Sequence, residues 1–443
     1  MFKAVLIAIC LLFIFPKSAL ALYDPLLVDN NRFGIHIADP VDLEEAAKLV
    51  NSQGGDWGYV TFVIRKDERD IRRWQKVFDK ARKLHLIPIV RIATRLENNN
   101  WEKPSVDEID GWVSFLSSLN WVIENRYVAI GNEPNHAKEW GGEINPKEYG
   151  NYYLAFAKKL KASNPDFFLL QAGFDASAAN TKETMDEVKY LNLLLESNPE
   201  FLKYIDGWNS HSYPNPAFSG SEYATGRGSL KTYVWELNLL KSFGLNKNLP
   251  VFITETGWIH NMDTKDRKKL SPSLLGGKYE YAFNYVWSDK QVVAVTPFVF
   301  KYLEPPFENF SWQKKDGSYY SFYNNVLNLK KVNGVPRQYT TGKILNIYVQ
   351  PILINSDVFT GIAVIENTGQ TIWDNNTFNL KTANGEIKIL SFSHSELTPE
   401  NNGILIFKGK TKDKTGLYSD QLLLTKDGQN IAKSGKFTII KLF

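Results

Sequence analysis

Eight short apolar runs, separated by segments of helical period, constrain this chain more than any other feature. Between Arg32 and Lys331 they read RFGIHIA from 32, WGYVTFVI from 57, LIPIVRIA from 86, YVAIGNE from 127, DFFLLQAG from 166, DGWNSHSY from 206, PVFITETGW from 250 and VVAVTPFVF from 292. They are β-branched and continuous where a half-exposed strand would alternate, which suits parallel strands buried on both faces. Between them, Ile71, Trp74, Val77, Phe78, Ala81 and Leu84 recur at three- and four-residue spacing and predict one amphipathic helix face. Helix starts are signalled by Asp39 before Pro40, Ser105 with Glu108 three residues on, Asn145 before Pro146 and Ser271 before Pro272. Eight β units with seven intervening helices, and an eighth near 321–332, make the count of a (β/α)8 barrel. The competitor, a doubly wound open sheet, would carry a Gly-rich phosphate turn after its first strand, and GIHIADP has none. The expected fold class is α/β, a (β/α)8 TIM barrel over residues 22–335.

The two flanks differ from this. After VNGVPRQYTTGK, short alternating runs separated by Gly, Asn and Asp turns fill residues 344–443, the pattern of a small all-β sandwich. At the other end, MFKAVLIAICLLFIFPKSALA has a basic Lys3, an apolar run and a small-residue ending at Ala21. This predicts a cleavable signal peptide over 1–21 and a secreted or extracytoplasmic protein, because an apolar run of about 10 to 14 residues is short for a bilayer span. No stable membrane insertion is expected once the leader is cut. The single cysteine, Cys10, falls inside that leader, so disulfides, a thiol nucleophile and thiolate metal sites are excluded from the exported chain. The formal net charge is +4, and about +2 without Lys3 and Lys17, which gives no reason to expect nucleic acid as a partner. A monomer is expected. The aromatic excess of 12 Trp, 21 Tyr and 27 Phe is mostly core, but aromatic faces also stack on the apolar faces of sugars.

In such a barrel the chemistry sits at the carboxyl ends of the strands. Alternation along the fourth run puts Ala129, Gly131 and Glu133 on one side, so Glu133 points into the mouth. The same parity in the seventh run places Val251, Ile253 and Glu255 inward. Two carboxylates then converge on one pocket, as glycosidic bond cleavage requires: one protonated to serve the leaving oxygen, the other ionised to attack the anomeric carbon or activate water. An idle carboxylate at the end of a buried strand would be costly. The six His show no H-E-x-x-H or clustered spacing, and no dinucleotide turn or P-loop is present, so neither a metal nor a cofactor is implied.

GNEP ending the fourth run, HSYP after the sixth and TETGW ending the seventh together resemble clan A of the retaining (β/α)8 glycoside hydrolases, over roughly residues 32–331. The resemblance implies Glu133 as general acid/base and Glu255 as nucleophile. It implies Asn132 as the ligand of a sugar 2-hydroxyl, and Tyr213, paired with His211, as the group that orients the nucleophile. The arginine that recurs beside the nucleophile is matched by Arg65 or Arg91, with Arg65 favoured by its place just past the second strand. His36 is expected in the floor of the sugar subsite. A Trp that many members carry after strand eight is missing from TPFVFKY, leaving Phe298, Phe300, Tyr302 or Trp258 as the sugar platform, and Trp140 is a candidate on the leaving-group side. In the tail, GIAVIENTGQTIWDN resembles a segment of bacterial immunoglobulin-like accessory domains; a spacer or packed domain with Trp373 as a core plug is expected, a carbohydrate-binding role being the alternative. The implied activity is a secreted retaining glycosidase acting on a β-linked glycan. A transglycosylase on the same residues, or a carbohydrate-binding surface protein without turnover, are the alternatives, and TETGW, HSYP and GNEPN are similar to several branches at once, so the sugar stays open.

Overall fold

The computed structural model describes residues 22–97, 100–261 and 270–443. The predicted leader, residues 1–21, and Cys10 within it lie outside the described residues. Eight parallel strands form the first unit: β1 Gly34–His36, β2 Gly58–Arg65, β3 Leu86–Ala93, β4 Arg126–Ile130, β5 Phe167–Gln171, β6 Trp208–His211, β7 Val251–Glu255 and β8 Val292–Val295. Continuous parallel ladders join β1 through β5, and β6 through β8. Single parallel bridges, Leu170 with Gly207 and Phe33 with Val295, close the two seams, and the ring is a (β/α)8 barrel. Side chains reinforce both seams where the ladder is thin. Gln171 Nε2 donates to the Asn209 carbonyl at 2.6 Å across β5 and β6, and the Thr61 and Thr296 hydroxyls meet at 2.8 Å across the other closure.

The helices follow in turn: α1 Leu43–Val50, α2 Ile71–Lys83, α3 Ile109–Ser118, α4 Pro146–Ser163, α5 Glu187–Ser197, α6 Thr232–Ser242, α7 Pro272–Tyr281 and α8 Ser321–Leu327. On α2 the predicted face buries Trp74, Phe78 and Ala81, while Ile71 in the first turn stays in solvent. Asp39, Ser105 and Asn145 accept backbone N–H bonds as caps, whereas the Ser271 hydroxyl turns to Ser273 instead.

Inside the barrel, Tyr127 of β4 meets Phe252 of β7 at 5.0 Å between ring centroids. These strands are not neighbours, so the contact crosses the interior and fixes which residues face inward. Alternation from Tyr127 puts Ala129 inward, as predicted for β4. In β7 it corrects the expected parity: Phe252 faces the interior, Thr254 donates at 2.5 Å to Asn209 Oδ1, and Val251 and Ile253 turn to the helices. Glu255 still reaches the mouth because the β6–β7 pairing shifts by one residue between Ser210 and His211, bringing His211 opposite Glu255.

The second unit holds two four-stranded sheets. One has the order β9 Gly342–Val349, β11 Val358–Asn367, β14 Asn402–Thr411, β13 Ile387–His394; the other has β10 Ile352–Leu353, β16 Gln429–Lys441, β15 Gly416–Lys426, β12 Asn379–Thr382. Phe359, Ile365, Leu405, Phe407, Leu422 and Ile439 form the core between them. Trp373 is fully buried in that core, and Gly342 packs so closely on its ring that a Cβ there would fall 2.1 Å from it.

Candidate active site

At the rim, β4 ends at Ile130, and both Gly131 (φ 92°) and Glu133 (φ 27°) adopt left-handed backbone. For a residue with a Cβ this costs on the order of 1 kcal/mol or more. The turn is held by the Glu133 N–H donating to the Gly173 carbonyl at 3.0 Å and the His136 N–H donating to the Glu133 carbonyl at 2.9 Å. It aims the Glu133 carboxylate across the mouth at β6. There His211 Nδ1 lies 2.9 Å from Glu133 Oε1 and 3.8 Å from Glu255 Oε2. The imidazole cannot move aside, since it lies flush against Gly173, where even a Cβ would come within 2.1 Å of the ring.

Glu255, the last residue of β7, is held from two sides. Arg91 Nη1 donates to its Oε1 at 2.5 Å, and the Tyr213 hydroxyl donates to its Oε2 at 3.1 Å. Burial pushes the Glu255 pKa up, but the charges of His211 and Arg91 and the bond from Tyr213 overcome it and bring it down to about 2. His211 shows the converse: burial disfavours its charged form, yet Glu255 and Glu133 leave its pKa above the usual imidazole value. His36 lies beside this group, fully buried and edge-on to Phe298 at 5.1 Å, and burial lowers its pKa to about 4. The two carboxylates are therefore held differently: Glu255 between a guanidinium and a phenol, Glu133 against an imidazole.

The nearest ligand atoms of Glu133, His211 and Glu255 all lie within 4.8 Å of one another, and among the described residues this is the one such set with metal-donor spacing. Within the set His211 Nδ1 and Glu133 Oε1 are bonded to each other, and the Arg91 guanidinium lies 2.5 Å from Glu255 Oε1.

Of the predicted residues, Glu133, Glu255, His211, Tyr213, Arg91 and His36 are brought together, with Asn132 joined through Arg91 Nη1, which donates to Asn132 Oδ1 at 2.5 Å. Arg65 is a correction. It ends β2, but its guanidinium turns to Glu68 at 3.1 Å and Asp67 at 3.6 Å, because two acidic neighbours are closer than the mouth. Trp258 is a second correction. It is 1% exposed, donates from Nε1 to the Gly220 carbonyl at 2.9 Å and meets Tyr279 edge-on, so it staples the loop after β6 and offers no free face. Trp140 is likewise packed, edge-on to Tyr149 and Tyr152 with Nε1 bonded to Glu148, and is no open platform. Phe298 takes the rim position after β8, in an aromatic wall with Phe307 and Phe310 that continues through Phe218 to Tyr213. The loops after β6 and β8 thus meet at the mouth. Sequence reasoning passed over Gly173, which locks His211, and Glu139, which accepts from Asn132 Nδ2 at 3.1 Å. Nothing in the run KEW marks Glu139 apart from any surface acid.

No protein-family model matches the chain. In sequence it is similar to endoglucanase 1 and endoglucanase B of Ruminococcus albus, each 23% identical over 213 residues, 45% of this chain and 50% of the relative. The chain thus spans about half the length of the curated relatives it matches. Among solved structures, a β-mannanase from Thermomonospora fusca has a TM-score of 0.40 at 14% identity, covering 66% of this chain and 86% of that one. An endo-1,4-β-mannanase from Eisenia fetida has 0.42 at 11%, covering 68% and 91%. Both structural likenesses are weak.

Proposed function

We propose that this chain is a retaining glycoside hydrolase that cleaves a β-linked oligo- or polysaccharide by double displacement. The observation that carries the reading is the close approach of two unlike carboxylates at the barrel mouth, with reactive atoms within 4.8 Å. Retaining enzymes hold the pair about 5 to 5.5 Å apart, whereas inverting ones need about 6.5 to 9.5 Å to admit a water. In the first step Glu255 attacks the anomeric carbon, the glycosidic bond breaks, and Glu133 gives its proton to the leaving oxygen. In the second, Glu133 takes a proton from water, whose oxygen attacks the anomeric carbon and releases Glu255. Tyr213 and Arg91 keep the nucleophile oriented and ionised, His36 and Phe298 border the sugar site, and Asn132 presents its amide to the 2-hydroxyl. The apolar amino-terminal run supports export of the enzyme, and its working form is a monomer with no cofactor.

The test is reducing-end release from β-1,4-glucan, mixed-linkage β-glucan, mannan, xylan and galactan, with Glu255→Gln beside the parent. The endoglucanase relatives make the glucans the first polymers to try. Release that disappears in the variant, with retention of anomeric configuration, is the expected result. Longer products in place of reducing ends would mark a transglycosylase. Binding without turnover across the panel would overturn the reading in favour of a carbohydrate-binding protein.

A further inference from the structure

Asn132 sits between two charged groups of opposite kind. Its Oδ1 accepts from Arg91 Nη1 at 2.5 Å and its Nδ2 donates to Glu139 Oε2 at 3.1 Å. An amide is nearly symmetric in shape, so its orientation is chosen by what surrounds it. A guanidinium can only donate and a carboxylate can only accept, and together they leave one way round. The same Arg91 nitrogen holds Glu255 at 2.5 Å. A single chain of bonds therefore runs from Glu139, in the short turn Ala137–Glu139, through Asn132 and Arg91 to the proposed nucleophile on β7.

Glu139 is an expensive residue to keep where it is. Its side chain is 8% exposed, and Lys138, the cation nearest in sequence, is 4.0 Å away at the limit of an ion pair. A buried carboxylate so poorly paired is disfavoured unless it has work to do. Its carboxylate is hydrogen-bonded to Asn132, beside which it lines a pocket walled by Trp101, Trp112 and Trp140.

We infer that Glu139 is a positioning residue of the glycosidase site proposed above, acting on substrate only through Asn132. It fixes the amide so that its second N–H faces the sugar, and steadies the Arg91 contact on which Glu255 depends. The inference rests on the glycosidase reading.

The test is a double-mutant cycle with Glu139→Leu, Asn132→Ala and the combination, on the polysaccharide that the parent enzyme cleaves, with Glu139→Gln as the conservative variant. Thermal melts check that each variant folds, and a crystal structure of Glu139→Leu reports the Asn132 side chain. Glu139→Leu should lower kcat by about 10- to 100-fold, as small displacements of a positioned group do, with KM changed by less than about 3-fold. Glu139→Gln, which keeps an oxygen acceptor, should recover much of the loss. In the Asn132→Ala background the Glu139→Leu effect should vanish. A Glu139→Leu loss that persists undiminished in that background, or an unmoved Asn132 with parental kcat, overturns the inference and leaves the glycosidase standing. Should Glu139→Leu not fold, the same cycle with Glu139→Ala, which also removes the acceptor, decides, since an effect additive with Asn132→Ala rejects the role. A parent enzyme that cleaves no glycan removes the glycosidase reading and this inference with it.

Discussion

Arg91 serves two partners with one nitrogen, and its charge, added to that of His211, keeps Glu255 ionised in a place where burial alone would neutralise it. A lysine could carry the charge but not the fixed planar directions in which the guanidinium aims the N–H bonds of Nη1. Arg91→Lys should therefore release part of the constraint on Glu255. The Glu255 pKa is depressed in the fold, from an ordinary 4.5 to about 2, so its ionised form, and the stability that form contributes, persists above 4.5 and is lost as pH falls toward 2. In the variant that loss begins at higher pH. The acid limb of kcat/KM should move up by about 1 unit from its parental position near 2, measured as a pH profile that starts below that value. An acid limb that stays put would mean that His211 and Tyr213 suffice. The choice between Arg65 and Arg91 was not readable from sequence. Both lie at or near the ends of strands, and what separates them is the side-chain direction that Asp67 and Glu68 impose on Arg65.

At the scale of elements, the packing of α5 and α6 behind β6 hides a second carboxyl pair. Glu187 and Glu236 are both fully buried, and Glu236 Oε2 accepts from Trp208 Nε1 at 2.9 Å. Burial raises both pKa values, Glu236 to about 7 and Glu187 well above the ordinary 4.5, which its neighbour's charge raises further. Folded values above unfolded ones mean a contribution that is complete below 4.5 and lost as pH rises through 7. The melting temperature should accordingly fall as pH rises from 4.5 through 7, and Glu187→Gln, which cannot ionise, should flatten that fall. At pH 9 the variant should melt higher by about 2–4 °C per kcal/mol relieved, with no gain at pH 5. Parallel melting curves for the two proteins across this range would refute the account. The strands and helices themselves were legible, because continuous apolar runs and a 3.6-residue period are written into composition. The parity of β7 was not. Every residue of that strand is buried on one face or the other, so hydrophobicity does not distinguish inside from outside, and the register shift beside His211 has no sequence signature. Glu133 and Glu255 reach the mouth all the same, since both sit where a strand ends and the alternation is already relaxing.

Across the whole molecule, the sandwich is joined to the barrel on the face opposite the chemistry. Asn120 Nδ2 donates to the Gly369 carbonyl at 3.0 Å, Gln370 Nε2 to the Ile123 carbonyl at 2.8 Å and Gln338 Nε2 to the Val122 carbonyl at 2.8 Å. These barrel residues lie in the segment that enters β4, at the amino-terminal ends of the strands, while Glu133 and Glu255 lie at the carboxyl ends. The sandwich cannot then wall the cleft, and with Trp373 sealed in its core that residue cannot serve as a sugar platform without unfolding the domain. What it can do is brace the barrel. Gln370→Leu keeps the volume but leaves the buried Ile123 carbonyl without its donor, a loss of about 1–3 kcal/mol. Calorimetry should show a lower melting temperature, or barrel and sandwich transitions drawn apart, while kcat/KM on a soluble glycan stays within about 2-fold of the parent, as expected for a change far from the site and sharing no partner with it. If activity falls in step with stability at temperatures where the protein is folded, the brace acts on the mouth as well. The path would then run along β4 itself, from the docked segment before Arg126 to the strained turn that aims Glu133.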